Sequence, residues 1–374
     1  MTDKIEKNTS PTTPIRRRTF LAGAAATAAT AQLLISPRDA KAAGFPEQTI
    51  NVVIMYAAGG GTDVMLRVLV DEMKKNTGWD INVINKPGAV GGVATNFLLN
   101  KPSDGYWWLG AANYNKFVRV MGHATSKPWV DWQYFQGGNS LGSWSVKPDS
   151  PFKTFDDVVK AAKANPGKIS ISTSGTGGLW QELALIVANQ AGIELKYVPY
   201  KGGKPATLAG LQGEVDIAGG GVHEHIDFIR AGQLRNLQQT GTKDIEVAGY
   251  GVLPSVGNFL PHVKPLLPLS GIYNLALRRD TPIDILKAVE KAWIDACDGE
   301  NFKQVVKSKH FEIDVRTGEA ADRRAAQVET VTAWTFWENQ DKIGQKVVNP
   351  EELGLPKPAD FDKWWPPEGY KPIL

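Results

Sequence analysis

Tyr56-Ala57-Ala58-Gly59-Gly60-Gly61-Thr62-Asp63 follows the apolar run 50–55 and precedes an amphipathic run over 64–75. The pattern reads as a strand entering, glycines turning it, and a helix leaving. Successive residues without Cβ let backbone N–H groups approach a bound anion. Thr62 is placed to cap the helix, whose N-terminus carries about half a positive charge. The stretch is an anion cradle suited to a carboxylate, with a plain flexible βα connection as the alternative.

Working outward, the same arrangement recurs. Residues 168–173 alternate as a strand, Ser174-Gly175-Thr176-Gly177-Gly178 turns the chain, and 179–191 has helical periodicity. Two such units in different parts of one chain can face each other across a cleft and hold one ligand from both sides. Pro199-Tyr200-Lys201-Gly202-Gly203 forms a third glycine-bearing turn, and a strand over 213–218 leads into Gly219-Gly220-Gly221 and a helix to Arg230. Nucleotide sites are excluded by pattern. Gly203-Lys204 has neither the earlier glycine nor the following Ser/Thr of a P-loop, and Gly175-Thr176-Gly177 lacks the third glycine of a dinucleotide fingerprint.

The 374 residues suffice for two compact lobes. Residues 1–42 read as a cleaved export signal of the twin-arginine type, with Arg16-Arg17-Arg18, Phe20-Leu21, an alanine-rich apolar run and Ala40-Lys41-Ala42 before the cut. Of 42 lysines and arginines seven lie there, and of 39 acidic residues three, leaving 35 basic against 36 acidic groups in the mature chain. That balance gives no expectation of nucleic-acid or anionic-lipid binding, and no later apolar run is long enough to insert into a membrane. Cys297 is the single cysteine, so no internal disulfide or Cys/His zinc pattern is expected.

Further along, helices are expected over 64–75, 93–99, 158–164, 179–191 and 319–340, and strands at 81–84, 106–111 and 311–315. The first strand ends and the 106–111 strand end share an edge in a parallel sheet, which directs Asn113 and Tyr114 toward the cradle. Residues 116–151 have weak periodicity and read as a crossover between lobes. The proline- and aromatic-rich tail 349–374 is expected to wrap the surface without regular structure. His223-Glu224-His225 is the one cluster that suggests a metal, if the histidines share a face of an extended segment; the plain alternative is a pair of exposed loop or helix-entry residues. Asp63 can receive a ligand amine or serve as a first-turn acid. Trp180 and Tyr200 can cover an apolar ligand body or act as core or rim aromatics.

These stretches in order, with Arg67, Asn85-Lys86-Pro87-Gly88, Asp104-Gly105-Tyr106, Asn165-Pro166-Gly167 and Gly213-Glu214-Val215-Asp216, resemble the tripartite tricarboxylate transporter receptors, or Bug-type periplasmic binding proteins. The resemblance implies an α/β, two-lobed periplasmic binding protein, type II-like, closing like a flytrap on a ligand cleft between lobes. It implies 43–145 with 268–345 as lobe 1, 146–267 as lobe 2, and 346–374 as a C-terminal extension. It further implies a monomeric, non-enzymatic receptor without cofactor that delivers a small organic carboxylate to the membrane components of a tripartite transporter. The first loop and the Ser-Gly-Thr-Gly loop would hold the carboxylate. The candidate ligand-binding residues are Tyr56, Ala58, Gly59, Gly60, Thr62, Asp63, Asn113, Ser174, Gly175, Thr176, Gly177, Gln181, Tyr200 and His223. Met55, Gly178 and Gln181 depart from the proline, serine and histidine that such receptors usually carry there. A secreted α/β enzyme for a small anionic substrate, assisted by a metal on His223 and His225, is the alternative.

Overall fold

The computed structural model describes residues 44–374, so the expected leader lies outside the described residues. Ile50–Ile54 (β1) is almost wholly apolar because it is flanked on both sides, parallel to Ile81–Asn85 (β2) and to Trp107–Ala112 (β3). Gly61–Thr77 (α1) and Gly92–Leu99 (α2) make the crossovers. α1 ends where the left-handed Gly78 donates its N–H to the Lys74 carbonyl at 2.8 Å, with Asp63 in the first turn and Lys74 and Lys75 in the last matching the helix dipole.

Two short helices, Lys116–Val120 (α3) and Pro128–Asp131 (α4), lead into Trp132–Val146 (β4). This long strand fills much of the stretch for which weak periodicity gave no element. β4 is covered on both faces, and Gln133, Gln136, Ser140, Ser143 and Ser145 are buried among its aromatics, which erases the alternation that marks a half-exposed strand.

Phe155–Ala164 (α5) starts at the expected capping box: the Asp157 N–H donates to Thr154 Oγ1 and the Thr154 N–H to Asp157 Oδ2. There follow Ser170–Thr173 (β5), Leu179–Ala191 (α6), Lys196–Pro199 (β6), Gly203–Gln212 (α7), Ala218–Gly221 (β7), Val222–Arg230 (α8) and Arg235–Gln239 (β8). The glycines at 219–221 are themselves strand, so the strand expected over 213–218 lies further along the chain. A Cβ on Gly219 would run into the Ser172 carbonyl of the neighbouring strand. Ile245–Val247 (β9) pairs with Gly251–Leu253 (β10), and Val256–Phe259 (α9) follows. The chain closes with Ser270–Arg278 (β11), Ile283–Cys297 (α10), Glu300–Lys309 (α11), Phe311–Arg316 (β12) and Gly318–Glu338 (α12).

Strand order in the first sheet is β12-β4-β11-β3-β1-β2, with β11 and β12 antiparallel to β4. From Gly142 onward β4 changes partners and pairs with β7 and β8, while Ile171 of β5 bridges Ile217 just before β7 and β5 runs parallel to β6. One strand thus belongs to both groups. Leu269 completes the second link by donating its N–H to the Thr240 carbonyl just before β11 begins.

The tail wraps the surface, as expected, but includes a helical turn at Phe361–Trp364. It covers α12: the Trp334 indole N–H donates to the Pro356 carbonyl at 2.6 Å and the Tyr370 hydroxyl to Asp322 at 2.8 Å. Beneath it the buried Arg119 grips Glu329 with two bonds of 2.9 and 2.7 Å and reaches the Leu353 carbonyl. Among the described residues no helix is long and apolar enough to cross a membrane.

Candidate functional site

Four helices start at one place. Gly61 and Thr62 open α1, Leu179 and Trp180 open α6, Gly203 and Lys204 open α7, and His223 and Glu224 lie in the first turn of α8; all line a single cleft. The first N–H groups of a helix have no partner within it, and each terminus carries partial positive charge. The cleft is therefore a focus for an anion built mostly from backbone. Tyr56, Ala57, Ala58, Gly60, Ala112, Asn113, Ser174, Gly202, Pro205, Gly271 and Tyr273 complete its wall.

Of the residues expected from sequence, Tyr56, Ala58, Gly60, Thr62, Asn113, Ser174 and His223 meet in this cleft. Thr62 does so in a changed role. α1 is preceded by Gly60 and has no side-chain cap, so Thr62 is a residue of the first turn. Asn113 comes at a cost: Asn113, Tyr114 and Asn115 have φ of 54°, 53° and 57°, a left-handed run that costs about 1–2 kcal/mol per residue without glycine. Side chains hold it there. Asn113 Oδ1 accepts the Ile272 N–H at 2.9 Å, and the Tyr114 N–H donates to Asn274 Oδ1 at 2.9 Å.

The other expected residues lie elsewhere. Asp63 faces its own loop: Oδ2 accepts the Gly59 N–H at 2.9 Å, and Oδ1 accepts from Arg67 Nε and Asn85 Nδ2 at 2.8 Å each. The same asparagine donates to the Tyr56 carbonyl at 2.9 Å. Asp63 and the Gly59 amide thus shape the cradle and are taken up in doing so, though Gly59 also borders an adjoining cavity with Val64, Lys204 and Phe311. Gly175, Thr176 and Gly177 turn from the cleft toward Val90, Gly344 and Met121 respectively. Gln181 is a clasp, accepting the Gly177 N–H at 2.7 Å and donating to the Lys342 and Ile343 carbonyls at 3.1 and 3.3 Å. Tyr200 donates its hydroxyl to Glu214 at 2.9 Å outside the cleft.

Sequence reasoning missed Lys204, Glu224 and Tyr273, and left Trp180 unassigned. A Cβ at Gly61 would collide with the His223 ring and the Tyr273 hydroxyl, so this glycine allows α1 to meet the wall formed by α8 and β11. A Cβ at Gly203 would fall on the Glu224 carboxylate. Lys204, beside it, extends its ammonium to 3.3 Å from where a Gly59 Cβ would stand, joining the third turn to the first loop. The sequence signal for Glu224 was its spacing from Gly221, whose N–H it accepts at 2.9 Å. Tyr273 had no local signal, since β11 brings it from a distant stretch.

His223 and His225 sit on a helix, not the extended segment that would put them side by side. Both are buried, against the expectation of exposure. His223 stacks on Phe311 with ring centres 4.6 Å apart, whereas His225 Nδ1 lies 3.0 Å from both Ser143 and Ser145 hydroxyls. Burial holds His225 down to about 4, so it is neutral at physiological pH. Among the described residues no group of three or more His, Cys, Asp or Glu is placed to hold a metal. Burial opposes charge on Glu224, but His223 and the Gly221 N–H outweigh it and keep the carboxyl below the ordinary glutamate range.

Backbone donors converging on a cleft beside a strand shared by two sheet groups define a solute-binding α/β protein. The chain belongs to the family of tripartite tricarboxylate transporter receptors, whose family model matches residues 65–335. It is 30% identical over 298 residues to the Cupriavidus necator "UPF0065 protein in gbd 5'region", covering 78% of this chain and 88% of that one. Its fold is similar to periplasmic binding protein BugD (TM-score 0.71, 21% identity, 79% of this chain and 99% of that chain). It is also similar to MatC from Rhodopseudomonas palustris with bound malate (TM-score 0.66, 18% identity, 80% of this chain and all of that chain).

Proposed function

We propose that this chain, after export to the periplasm by the twin-arginine route, captures a small organic carboxylate and delivers it to the membrane components of a tripartite transporter. Residues 43–145 with 268–345 and residues 146–267 act as two lobes that close on the ligand, as a monomer and without a cofactor. The convergence of the α1, α6, α7 and α8 N-termini on one cleft carries this reading. The carboxylate accepts from the backbone at Gly60 to Thr62, with Ser174, Asn113 and the Lys204 ammonium around it. The malate held by MatC agrees in chemical class. Micromolar affinity corresponds to about 8 kcal/mol. Three or four amide-to-carboxylate bonds of ~1.5–3 kcal/mol each reach that range after the cost of association.

Metal-assisted catalysis loses its basis, because His225 faces the serines of β4 and not the cleft. A thermal melt of the mature protein against mono-, di- and tricarboxylates and aromatic acids tests the proposal. A ligand at a hundred times its Kd adds about 2.7 kcal/mol of stability. A ligand-free preparation that no acid in the panel stabilises would refute it.

A further inference from the structure

One wall of the cleft does not suit a plain carboxylate. Glu224 has a side chain only 6% exposed, and His223 beside it 4%. Glu224 Oε2 accepts the Gly221 N–H, but Oε1 has no hydrogen bond among the described residues; its near neighbour, His223 Nε2, is 3.7 Å away, beyond hydrogen-bonding range. Both ring nitrogens of His223 are buried with no hydrogen-bond partner. Gly203 is the residue type that lets this carboxylate press against the α7 turn, and Glu224 lines both the main cleft and the adjoining cavity.

Glu224 Oε1 thus lacks a protein donor while its residue lines the cleft, and in a binding cleft the ligand is the group that can supply one. The choice of donor follows from charge. A second ligand carboxylate against Glu224 would repel it in a low-dielectric site, whereas an ammonium would neutralise it and bond to Oε1. The cradle and this acidic wall are adjacent, since the His223 ring rests on Gly61. The ligand's negative and positive groups must therefore be close together.

We propose that the preferred ligand is a small amino acid, its carboxylate on the α1 N-terminus and its 2-ammonium on Glu224, with His223 supporting the same end and Trp180 and Tyr273 enclosing the carbon between. This inference rests on the carboxylate-receptor reading and narrows it. It separates this cleft from one for unsubstituted aliphatic acids.

Matched series decide the matter by calorimetry on the mature protein: alanine, lactate and propionate; leucine, 2-hydroxyisocaproate and isocaproate; glutamate, 2-hydroxyglutarate and glutarate. In whichever series binds, the amino member is expected to bind at least about tenfold more tightly than the unsubstituted acid, a difference of about 1.4 kcal/mol. Glu224→Gln should erase most of that preference, bringing the amino and unsubstituted members of the series to within about threefold of each other. Equal or tighter binding of the unsubstituted or hydroxy member overturns the inference and leaves the receptor reading standing. Binding by none of the nine, with other carboxylates still stabilising the protein, also overturns the inference alone; silence across the whole carboxylate panel overturns both. Should Glu224→Gln not fold, the ligand series on the unaltered protein settles the preference by itself.

Discussion

The two glycine loops look alike in sequence and are used differently. The first, 56–61, is held from behind by Asp63, Arg67 and Asn85, and its backbone faces the cleft. In the second, 174–178, Ser174 reaches the cleft, while Gly177 packs on Met121 and gives its N–H to Gln181, which holds the carbonyls of Lys342 and Ile343. One loop lines the cleft and the other fastens α6 to the turn that follows α12. The next residue along repeats the lesson: the buried Glu182 accepts Lys116 Nζ at 2.8 Å and the Thr332 hydroxyl at 2.5 Å. A strand–glycine–helix signature thus identifies a turn with spare N–H groups. What those groups meet depends on the segments packed around them.

The largest effect should come from closing the space that the first loop leaves. In Gly61→Val the new side chain has no room beside His223 and Tyr273, and carboxylate affinity should fall more than about 100-fold by calorimetry, consistent with overpacking costs of about 1–3 kcal/mol or more. Unchanged affinity would remove the α1 terminus from the site. Next comes the support of that loop. Asp63→Ala strips acceptors from Gly59, Arg67 and Asn85 and should cost about 2 kcal/mol in urea denaturation, less than a fully buried pair because Arg67 is 41% exposed. A loss below about 0.5 kcal/mol would show that the loop holds its shape without the network. The smallest effect belongs to the second loop. Gln181→Ala should lower stability by about 1 kcal/mol and leave affinity within about twofold. A drop in affinity beyond tenfold at unchanged stability would place Gln181 in the site and erase the contrast between the loops. Gly177→Asp makes a poor probe of this loop, because Gly177 has φ of 67° and Met121 lies against it.

The local sequence determined the units whose signals are short in range. β1, its glycine turn and α1 follow from an apolar run, residues without Cβ and a 3.6-residue periodicity, and Thr154 with Asp157 announces α5. The ordered loop motifs carried the family. Long-range burial hid the rest. β4 lies between other strands and buries glutamines and serines as well as aromatics, so its polar pattern does not alternate, and β11 is brought alongside it from over a hundred residues away. The site divides in the same way. That Tyr56, Ala58, Gly60, Thr62 and Ser174 sit on glycine turns at helix starts was legible, because turn geometry is encoded locally. That Lys204, Glu224 and Tyr273 join them, while Asp63, Gln181 and Tyr200 do not, was decided by tertiary packing. A side chain's partner is fixed by which distant segment fills the space in front of it, and a local motif does not encode that segment.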